Sequence, residues 1–293
     1  MADPAIVALG GGHGLSVALR AARVYAGSIT AVVSVADDGG SSGRLRRELG
    51  VPAPGDVRKC LVALARSDSV WAQAFEHRFH GGELEGHALG NLVIVGLAEV
   101  VGDFAGALDE AGRLVGAVGR VLPATVDPVV LEADVEGRSV EGQVAVATSP
   151  GRIRRVGLVP ADAAAHPDAV TAIEAADQVV LAPGSLYTSL LPVLCVSGIR
   201  EALARTSARV VQVANLRTQL PETDGLDATD HLCVVLEHGV RVDDFVFECG
   251  GPLRADEQTV ESCGVRPVGV SVATDDQTLH DPQRLADALT ALL

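Results

Sequence analysis

The sequence predicts an α/β fold of three layers, in which helices cover both faces of a doubly wound, Rossmann-like and mostly parallel sheet. Strand-like and helical segments alternate along most of the chain, which is typical of parallel strands joined by helical crossovers. The run 178–182 is almost entirely apolar, as expected of a strand buried on both faces. No linker or repeat interrupts the 293 residues, so we expect a single domain over 1–293.

The first part of the chain has the pattern of a β-loop-α-β unit. Residues 5–9 form an apolar run that ends in glycines, 15–24 have apolar side chains at helical spacing, and 29–36 are rich in β-branched residues. A helix-rich stretch follows this unit. We predict helices at 56–65, 70–79, 87–101 and 103–118.

The middle of the chain differs from its two ends. Short alternating segments with turn signals predict a small antiparallel β excursion around 120–159, with strands at 131–135, 140–146 and 153–158. The alternation of helices and strands then resumes. We predict helices at 169–176, 198–205, 227–236 and 282–293, and strands at 178–181, 209–214, 244–248 and 267–272.

The charge is strongly acidic but unevenly distributed. The chain has 23 basic and 38 acidic residues, which gives a net charge of -15. Such a surface repels phosphates, so we expect no nucleic-acid partner. Residues 39–66 are an exception, since six bases there outnumber two acids, and they include Lys59, the only lysine. This distribution favours a small anionic ligand held at one site.

The cysteines and the apolar runs bear on the compartment. The five cysteines are widely spread and form no Cys-x-x-Cys pair, which is typical of reduced thiols in a cytoplasmic protein. The first residues lack the basic and apolar regions of a secretory signal. No apolar stretch reaches 18 residues without charge or turn residues, so we expect no membrane span and a cytoplasmic location.

A glycine-rich loop follows the first predicted strand, at the edge of the sheet where parallel α/β folds bind ligands. Its candidate ligand-binding residues are Gly11, Gly12, His13, Gly14 and Leu15. Glycines let a ligand approach the backbone, and the amides of a helix N-terminus favour an anion. Leu15 stands where a dinucleotide fingerprint has its third glycine, so we predict a general phosphate or nucleotide loop. The alternative is a tight turn that packs the helix on the sheet.

A second loop places two carboxylates after the second strand. Asp37 or Asp38 could bind a ribose, a base or a metal ion, with Ser41 and Ser42 as hydroxyl donors. The alternative is a turn that caps a helix. Asp56, in the next loop, is either a ligand contact or a helix N-cap.

Further candidates lie on later loops. Asn91 is an amide on an apolar helix and needs a hydrogen-bond partner from the backbone or from a ligand. The loop after strand 178–181 presents amides and hydroxyls at a helix start, which predicts a second anion site facing the first. The candidate residues of this loop and of the rim beside it are Pro183, Gly184, Ser185, Tyr187, Thr188, Asn215 and Thr218.

The sequence offers no clear catalytic or metal-binding set. There is no Gly-x-Ser-x-Gly elbow, and no relay of a nucleophile and a base is legible, so we assign no catalytic residue. His77 and His80 lack a third ligand at diagnostic spacing, so we predict no dedicated metal site. Two anion loops without such a relay favour a binding protein over an enzyme.

Several loop motifs together are characteristic; they are residues 10–16, 35–46, 54–58, 86–92, 119–125, 183–189, 215–219 and 222–225. They resemble those of the YvcK group of gluconeogenesis factors, which is related to the 2-phospho-L-lactate transferases of coenzyme F420 synthesis. The resemblance implies a cytoplasmic bacterial protein that binds UDP-N-acetylglucosamine and links carbon metabolism to peptidoglycan precursor synthesis and cell shape.

The resemblance also bears on ligands and partners. It implies UDP-N-acetylglucosamine or another nucleotide as ligand, with Mg²⁺ as a candidate ion, and an enzyme of amino-sugar or cell-wall precursor synthesis as a candidate protein partner. We expect a homodimer. The alternative function is a nucleotide-dependent transferase that moves a phospholactyl-type group, with Asp37, Asp38 and Asp56 holding Mg²⁺ or the acceptor hydroxyl.

This chain departs from the group's pattern at four positions. His13 stands where the group usually has Thr, and Lys59 where it usually has Asn. Ala255 and Leu279 replace a Tyr and an Arg of the group's C-terminal motifs. If that Tyr and Arg help to hold the sugar-nucleotide, these replacements affect which ligand binds or how tightly.

Overall fold

The computed structural model describes residues 3–293. The first two residues of the predicted domain, which belong to the stretch considered for a secretory signal, lie outside the described part. Its strands are β1 Ala5–Gly10, β2 Ser28–Val33, β3 Arg120–Pro123, β4 Val130–Val135, β5 Arg138–Glu141, β6 Ile153–Val159, β7 Gln178–Leu181, β8 Arg209–Val213, β9 Asp244–Glu248 and β10 Arg266–Val270. Seven of them form one sheet in the order β10-β9-β8-β7-β1-β2-β3, and every neighbouring pair is parallel.

Helices flank this sheet, as parallel pairing requires, because each strand must be carried back to the same edge. A π-helical turn over Leu186–Leu190 precedes the ninth α-helix. The α-helices are α1 Gly12–Tyr25, α2 Gly40–Leu49, α3 Pro54–Leu64, α4 Val70–Glu76, α5 Leu89–Val101, α6 Phe104–Val115, α7 Gln143–Thr148, α8 Pro167–Glu174, α9 Leu191–Leu194, α10 Ser197–Arg205, α11 Ala228–Glu237, α12 Glu257–Ser262 and α13 Pro282–Thr290.

The strand order confirms the predicted doubly wound α/β architecture. From β1 the chain winds through β2 to β3 in one direction, and from β7 it winds through β8 and β9 to β10 in the other. The direction reverses between β1 and β7. Loops leave these two strands toward opposite sides of the sheet, and the crevice between them is the usual ligand site of such folds.

The antiparallel excursion is real but shorter than predicted. Strands β4, β5 and β6 form a separate sheet in the order β5-β4-β6 over residues 130–159. The start at residue 120 was wrong, because residues 120–123 form β3, which pairs with β2 in the parallel sheet. Leu131, Ala133 and Val156 are buried on the inner face of the small sheet.

The strand predicted at 140–146 is wrong over its second half. The strand β5 ends at Glu141, Gly142 takes a φ of 98°, and helix α7 begins at Gln143. The alternation of apolar residues suggested a strand, but a cap from a distant loop stabilises a helix here instead. The carboxylate of Asp38 accepts hydrogen bonds from the amides of Gln143 (3.0 Å) and Val144 (2.9 Å), the first residues of α7.

Two further helices were not predicted. Helix α2 begins at Gly40, within the segment interpreted as a loop. Helix α12 follows Asp256, whose side chain accepts a hydrogen bond from the amide of Gln258. Both helices are short and polar, so hydrophobic periodicity gave no signal for them.

No single helix in the described part of the chain is both long and apolar enough to span a membrane. The bent pair Leu186–Leu194 and Ser197–Arg205 reaches that length and composition only when its two halves are taken together.

A buried acid ties three neighbouring strands together at the edge of the sheet opposite the crevice. Asp244 begins β9, and its side chain is fully buried between Arg209 at the start of β8 and Arg266 at the start of β10. Its two oxygens accept hydrogen bonds of 2.5 to 2.9 Å from these guanidinium groups. Burial alone would raise the pKa of Asp244, but the hydrogen bonds and charges of the two arginines together lower it.

Replacement of Asp244 by Asn should lower the free energy of unfolding at pH 7 by about 1–3 kcal/mol, since the negative charge that pairs with two arginines and one of its accepting oxygens are lost. Because the folded-state pKa of Asp244 is lowered, its contribution is complete above the unfolded value of about 3.9 and is lost as the pH falls through the folded value. Urea unfolding between pH 7 and pH 3 should therefore show a weaker acid dependence in the variant. Asp68→Asn, which breaks an exposed pair with Arg66, is the control and should change nothing measurable.

Candidate functional site

A cleft of about 260 Å³ lies at the crevice between the ends of β1 and β7. It brings together residues from the first glycine loop, the loops after β2 and β7, helix α3, helix α7 and the rim after β8. Its lining residues are Gly11, Gly12, His13, Gly14, Asp37, Asp56, Lys59, Gln143, Gly184, Ser185, Ser189 and Gln219. Eight of these were predicted from the sequence, and Lys59, Gln143, Ser189 and Gln219 were not.

The first glycine loop leads directly into the N-terminus of α1. Gly11 is extended and places no side chain on the amides of the first turn, and no acidic residue lies in that turn. Gly12 has a φ of 62°, a left-handed conformation that favours glycine. The amides of residues 12–14 therefore form the start of a helix with no side-chain cap, facing a polar cleft, which suits an anion.

The two loops at the crevice are in direct backbone contact. A Cβ atom built on Gly14 would lie 1.9 Å from the carbonyl oxygen of Pro183 and 2.9 Å from the Cα of Gly184. Only glycine at position 14 allows this approach. Leu15, by contrast, is a fully buried core residue, and the structure does not place it in the cleft.

Two carboxylates face the cleft close to each other. Burial and the nearby charge of Asp56 raise the pKa of Asp37, against the hydrogen bonds that it accepts from the Gly39 amide and the Ser42 hydroxyl. Asp56 forms a 3.1 Å ion pair with Lys59. Mg²⁺ commonly takes one or two protein carboxylates and completes its shell with phosphate oxygens and water, so Asp37 and Asp56 could hold it beside a bound phosphate.

The other candidates of the second loop have structural partners. Asp38 does not line the cleft, because both of its oxygens cap α7. Ser41 and Asn91 are buried, and the Asn91 amide donates to the Ser41 hydroxyl at 3.0 Å. The buried Arg58 donates to Asn91 at 3.1 Å. This network joins α2, α3 and α5 and does not line the cleft. The partners of the Asn91 side chain are therefore Ser41 and Arg58.

The loop after β7 was predicted to be a second anion site, and the structure shows that the protein's own carboxylate occupies it. Glu222, which is buried, accepts hydrogen bonds from the amides of Tyr187 (2.7 Å) and Thr188 (3.2 Å) and from the hydroxyls of Ser185 and Thr188. These amides are therefore not available to a ligand. Glu222 was missed as a functional residue because its contacts lie more than 30 positions away in sequence.

Asn215 has a related role on the same loop. Its side chain pairs with the backbone of Gly184, accepting from the amide at 2.6 Å and donating to the carbonyl at 2.7 Å. Asn215 thus fixes the position of Gly184 and does not itself line the cleft. Pro183, Tyr187, Thr188 and Thr218 also lie outside its lining.

The cleft contains one side chain that is cationic at neutral pH. Burial and the charge of Lys59 lower the pKa of His13, which favours the neutral imidazole. The Lys59 ammonium is therefore the positive charge beside the α1 amides. The described residues 3–293 contain no group of three or more His, Cys, Asp or Glu side chains placed to hold a metal ion.

Two of the missed lining residues are glutamines from distant segments. Gln143 reaches the cleft at the start of α7, which the sequence had suggested to be a strand. Gln219 stands at the rim, and its Oε1 atom is shielded from water without a hydrogen-bond partner. Ala255 and Leu279, the two departures in the C-terminal motifs, lie outside the cleft lining, and Leu279 is 64% exposed.

Comparison with known proteins gives consistent matches over almost the whole chain. The 2-phospho-L-lactate transferase CofD family matches residues 6–272. A relative from Mycobacterium tuberculosis is 48% identical over 97% of this chain and 89% of its own. The gluconeogenesis factor of Bacillus subtilis is 37% identical over 99% of this chain and 98% of its own. A crystal structure of a UPF0052 family member from Bacillus halodurans superposes with a TM-score of 0.94 at 39% identity, covering 99% of both chains.

Replacement of Gly14 by Ala should separate the two glycine loops, since the new methyl group cannot occupy the space of the Pro183 carbonyl. We expect the free energy of unfolding to fall by about 1–3 kcal/mol, as measured by urea denaturation. Gly96→Ala in α5 is the matched control, because its Cβ would meet nothing within 4 Å. That variant should gain up to about 1 kcal/mol from helix propensity. Equal stabilities of the two variants would contradict the close contact.

Proposed function

The chain belongs to the CofD family, and to the YvcK-type gluconeogenesis factors within it, and on this basis we propose that it is a regulatory protein that binds a nucleotide-sugar. The proposed ligand is UDP-N-acetylglucosamine. The proposed role links carbon metabolism to peptidoglycan precursor synthesis and cell shape.

The observation that carries this proposal is the uncapped N-terminus of α1 at the crevice of the sheet. The amides of residues 12–14 and the ammonium of Lys59 suit a diphosphate. Asp37 follows β2, on the side where α/β nucleotide folds place an acid on a ribose, so we assign it to the ribose or base. The cleft combines residues from the parallel sheet and from α7, which supports one nucleotide-binding domain.

In this proposal the diphosphate binds to one loop only, the glycine loop that opens α1. Glu222 already occupies the loop after β7, so Gly184 and Ser185 contribute the wall of the cleft and not a second phosphate site. Lys59 comes from the basic segment 39–66, whose net positive charge adds to the attraction of an anion in an otherwise acidic protein.

The alternative is a nucleotide-dependent transferase, and the match to the CofD family favours it as a second candidate. Asp37 and Asp56 could then hold Mg²⁺ on the nucleotide. We prefer the regulator, because no pair of nucleophile and base stands out among the lining residues.

The wider setting follows from the same proposal. We place the protein in the cytoplasm, with an enzyme of amino-sugar or cell-wall precursor synthesis as its partner. A homodimer is supported by α5, whose residues carry a single charge, Glu99, and whose Val100 is 86% exposed. Two copies that each carry a charge of -15 repel one another least where such a weakly charged face meets its equivalent.

Isothermal titration calorimetry with UDP-N-acetylglucosamine, UDP and uridine tests the function. We expect the protein to bind both diphosphates at least about tenfold more tightly than uridine, since uridine makes no charged hydrogen bonds to the α1 amides and Lys59. The ligand should be recovered unchanged. No heat up to millimolar UDP-N-acetylglucosamine would reject this ligand, and consumption of the nucleotide would favour the transferase.

A further inference from the structure

Lys59 lies beside both Asp56 and the proposed anion site at the α1 amides. A Cβ built on Gly11 would lie 2.6 Å from Oδ2 of Asp56, so this carboxylate lies against the loop that opens α1. A bound phosphate at the α1 amides would therefore have Asp56 as a close negative neighbour. The ammonium of Lys59, 3.1 Å from Oδ1 of Asp56, is the group that can offset this repulsion or bind the phosphate itself.

The packing of α3 aims Lys59 at the cleft. The neighbouring Arg58 is buried, and its guanidinium points into the polar network with Asn91 and the carbonyl of Phe75. Lys59 lines the cleft, and its side chain is 25% exposed. The Ser16 hydroxyl donates to the Gly12 carbonyl at 2.9 Å and lies 3.5 Å from the Lys59 carbonyl, which places this part of α3 beside α1. The lysine backbone is thus held beside the first turn of α1 while its side chain stays accessible.

The charge of Lys59 lies close enough to the first turn of α1 to affect the pKa of His13. After burial, this charge is the largest cause that lowers the pKa of His13. An ammonium close to His13 and next to Asp56 is within the same small cleft as the amides of residues 12–14. An ammonium has three donors, so it can keep Asp56 as one partner and donate to a phosphate oxygen with another.

We propose that Lys59 binds the diphosphate of the ligand directly and that Asp56 is a positioning residue that holds its ammonium beside the α1 amides. This inference rests on the proposed function in so far as the cleft binds an anion, and it adds the residue that determines selectivity for a diphosphate. The sequence alone had left Lys59 as an unexplained departure from the pattern of related proteins.

Affinity measurements on the full chain test the proposal, with inorganic pyrophosphate and UDP as probes in metal-free buffer. Lys59→Gln should weaken the binding of both probes about tenfold, since a charged hydrogen bond is lost. Lys59→Arg keeps the charge and should stay within about threefold of the wild type. Arg20→Gln removes one positive charge from an exposed position on α1 and should leave both affinities unchanged.

The double variant Lys59→Gln with Asp56→Asn separates direct binding from charge neutralisation. If Lys59 contacts the phosphate, the double variant regains only the affinity that repulsion by Asp56 had cost, and it stays clearly weaker than the wild type. If Lys59 only cancels the charge of Asp56, removal of both charges restores wild-type affinity, and this result would overturn the proposal. Thermal melting of each variant confirms that it is folded.

The remaining outcomes keep this inference distinct from the proposed function. Unchanged affinity in Lys59→Gln overturns the inference alone. Binding of pyrophosphate but not of UDP-N-acetylglucosamine by the wild type overturns the proposed ligand, while the inference stands on the pyrophosphate data. If the wild type binds neither pyrophosphate nor UDP, both proposals fail.

Discussion

The arrangement of the site depends on the contact between two backbone loops at the reversal point of the sheet. Gly14, in the first turn of α1, packs against the carbonyl of Pro183 with no room for a side chain. This contact sets how closely the loop after β1 and the loop after β7 approach each other, and Gly14 and Gly184 from these loops both line the cleft. The polar groups around it then depend on a position that only glycine can take.

Acids with specific hydrogen-bond donors hold much of the remaining structure together, so part of the net charge of -15 serves the fold itself. Glu222 holds the loop after β7, Asp38 holds α7 against the parallel sheet, and Asp244 joins three strands at the opposite edge. Each of these carboxylates has specific donors, as burial of a charge requires. Some acidic side chains thus accept hydrogen bonds within the fold, whereas no side chain caps the start of α1.

The local signals in the sequence were sufficient for most of the fold and for eight of the twelve residues that line the cleft. Apolar runs and helical spacing predicted β1, α1, β7 and the order of the later elements, because these patterns report burial directly. The glycines at 11, 12 and 14 and Asp37 were predicted because they follow strand ends, whereas Asp56 was predicted from its Pro-Gly-Asp segment and lies in the first turn of α3. The failures involve long-range partners. The cap on α7 comes from Asp38, 105 positions before Gln143, and neither Gln143 nor Glu222 can be assigned a role without that three-dimensional arrangement.

A crystal structure with bound UDP-N-acetylglucosamine tests the central claim most directly. The account predicts that the diphosphate lies within hydrogen-bonding distance of the amides of residues 12–14 and of Lys59, while Glu222 still accepts from Tyr187 and Thr188. A diphosphate that displaces Glu222 and binds the amides of Tyr187 and Thr188 would contradict the claim that the α1 N-terminus is the anion site. A ligand bound outside the cleft would contradict the assignment of the site itself.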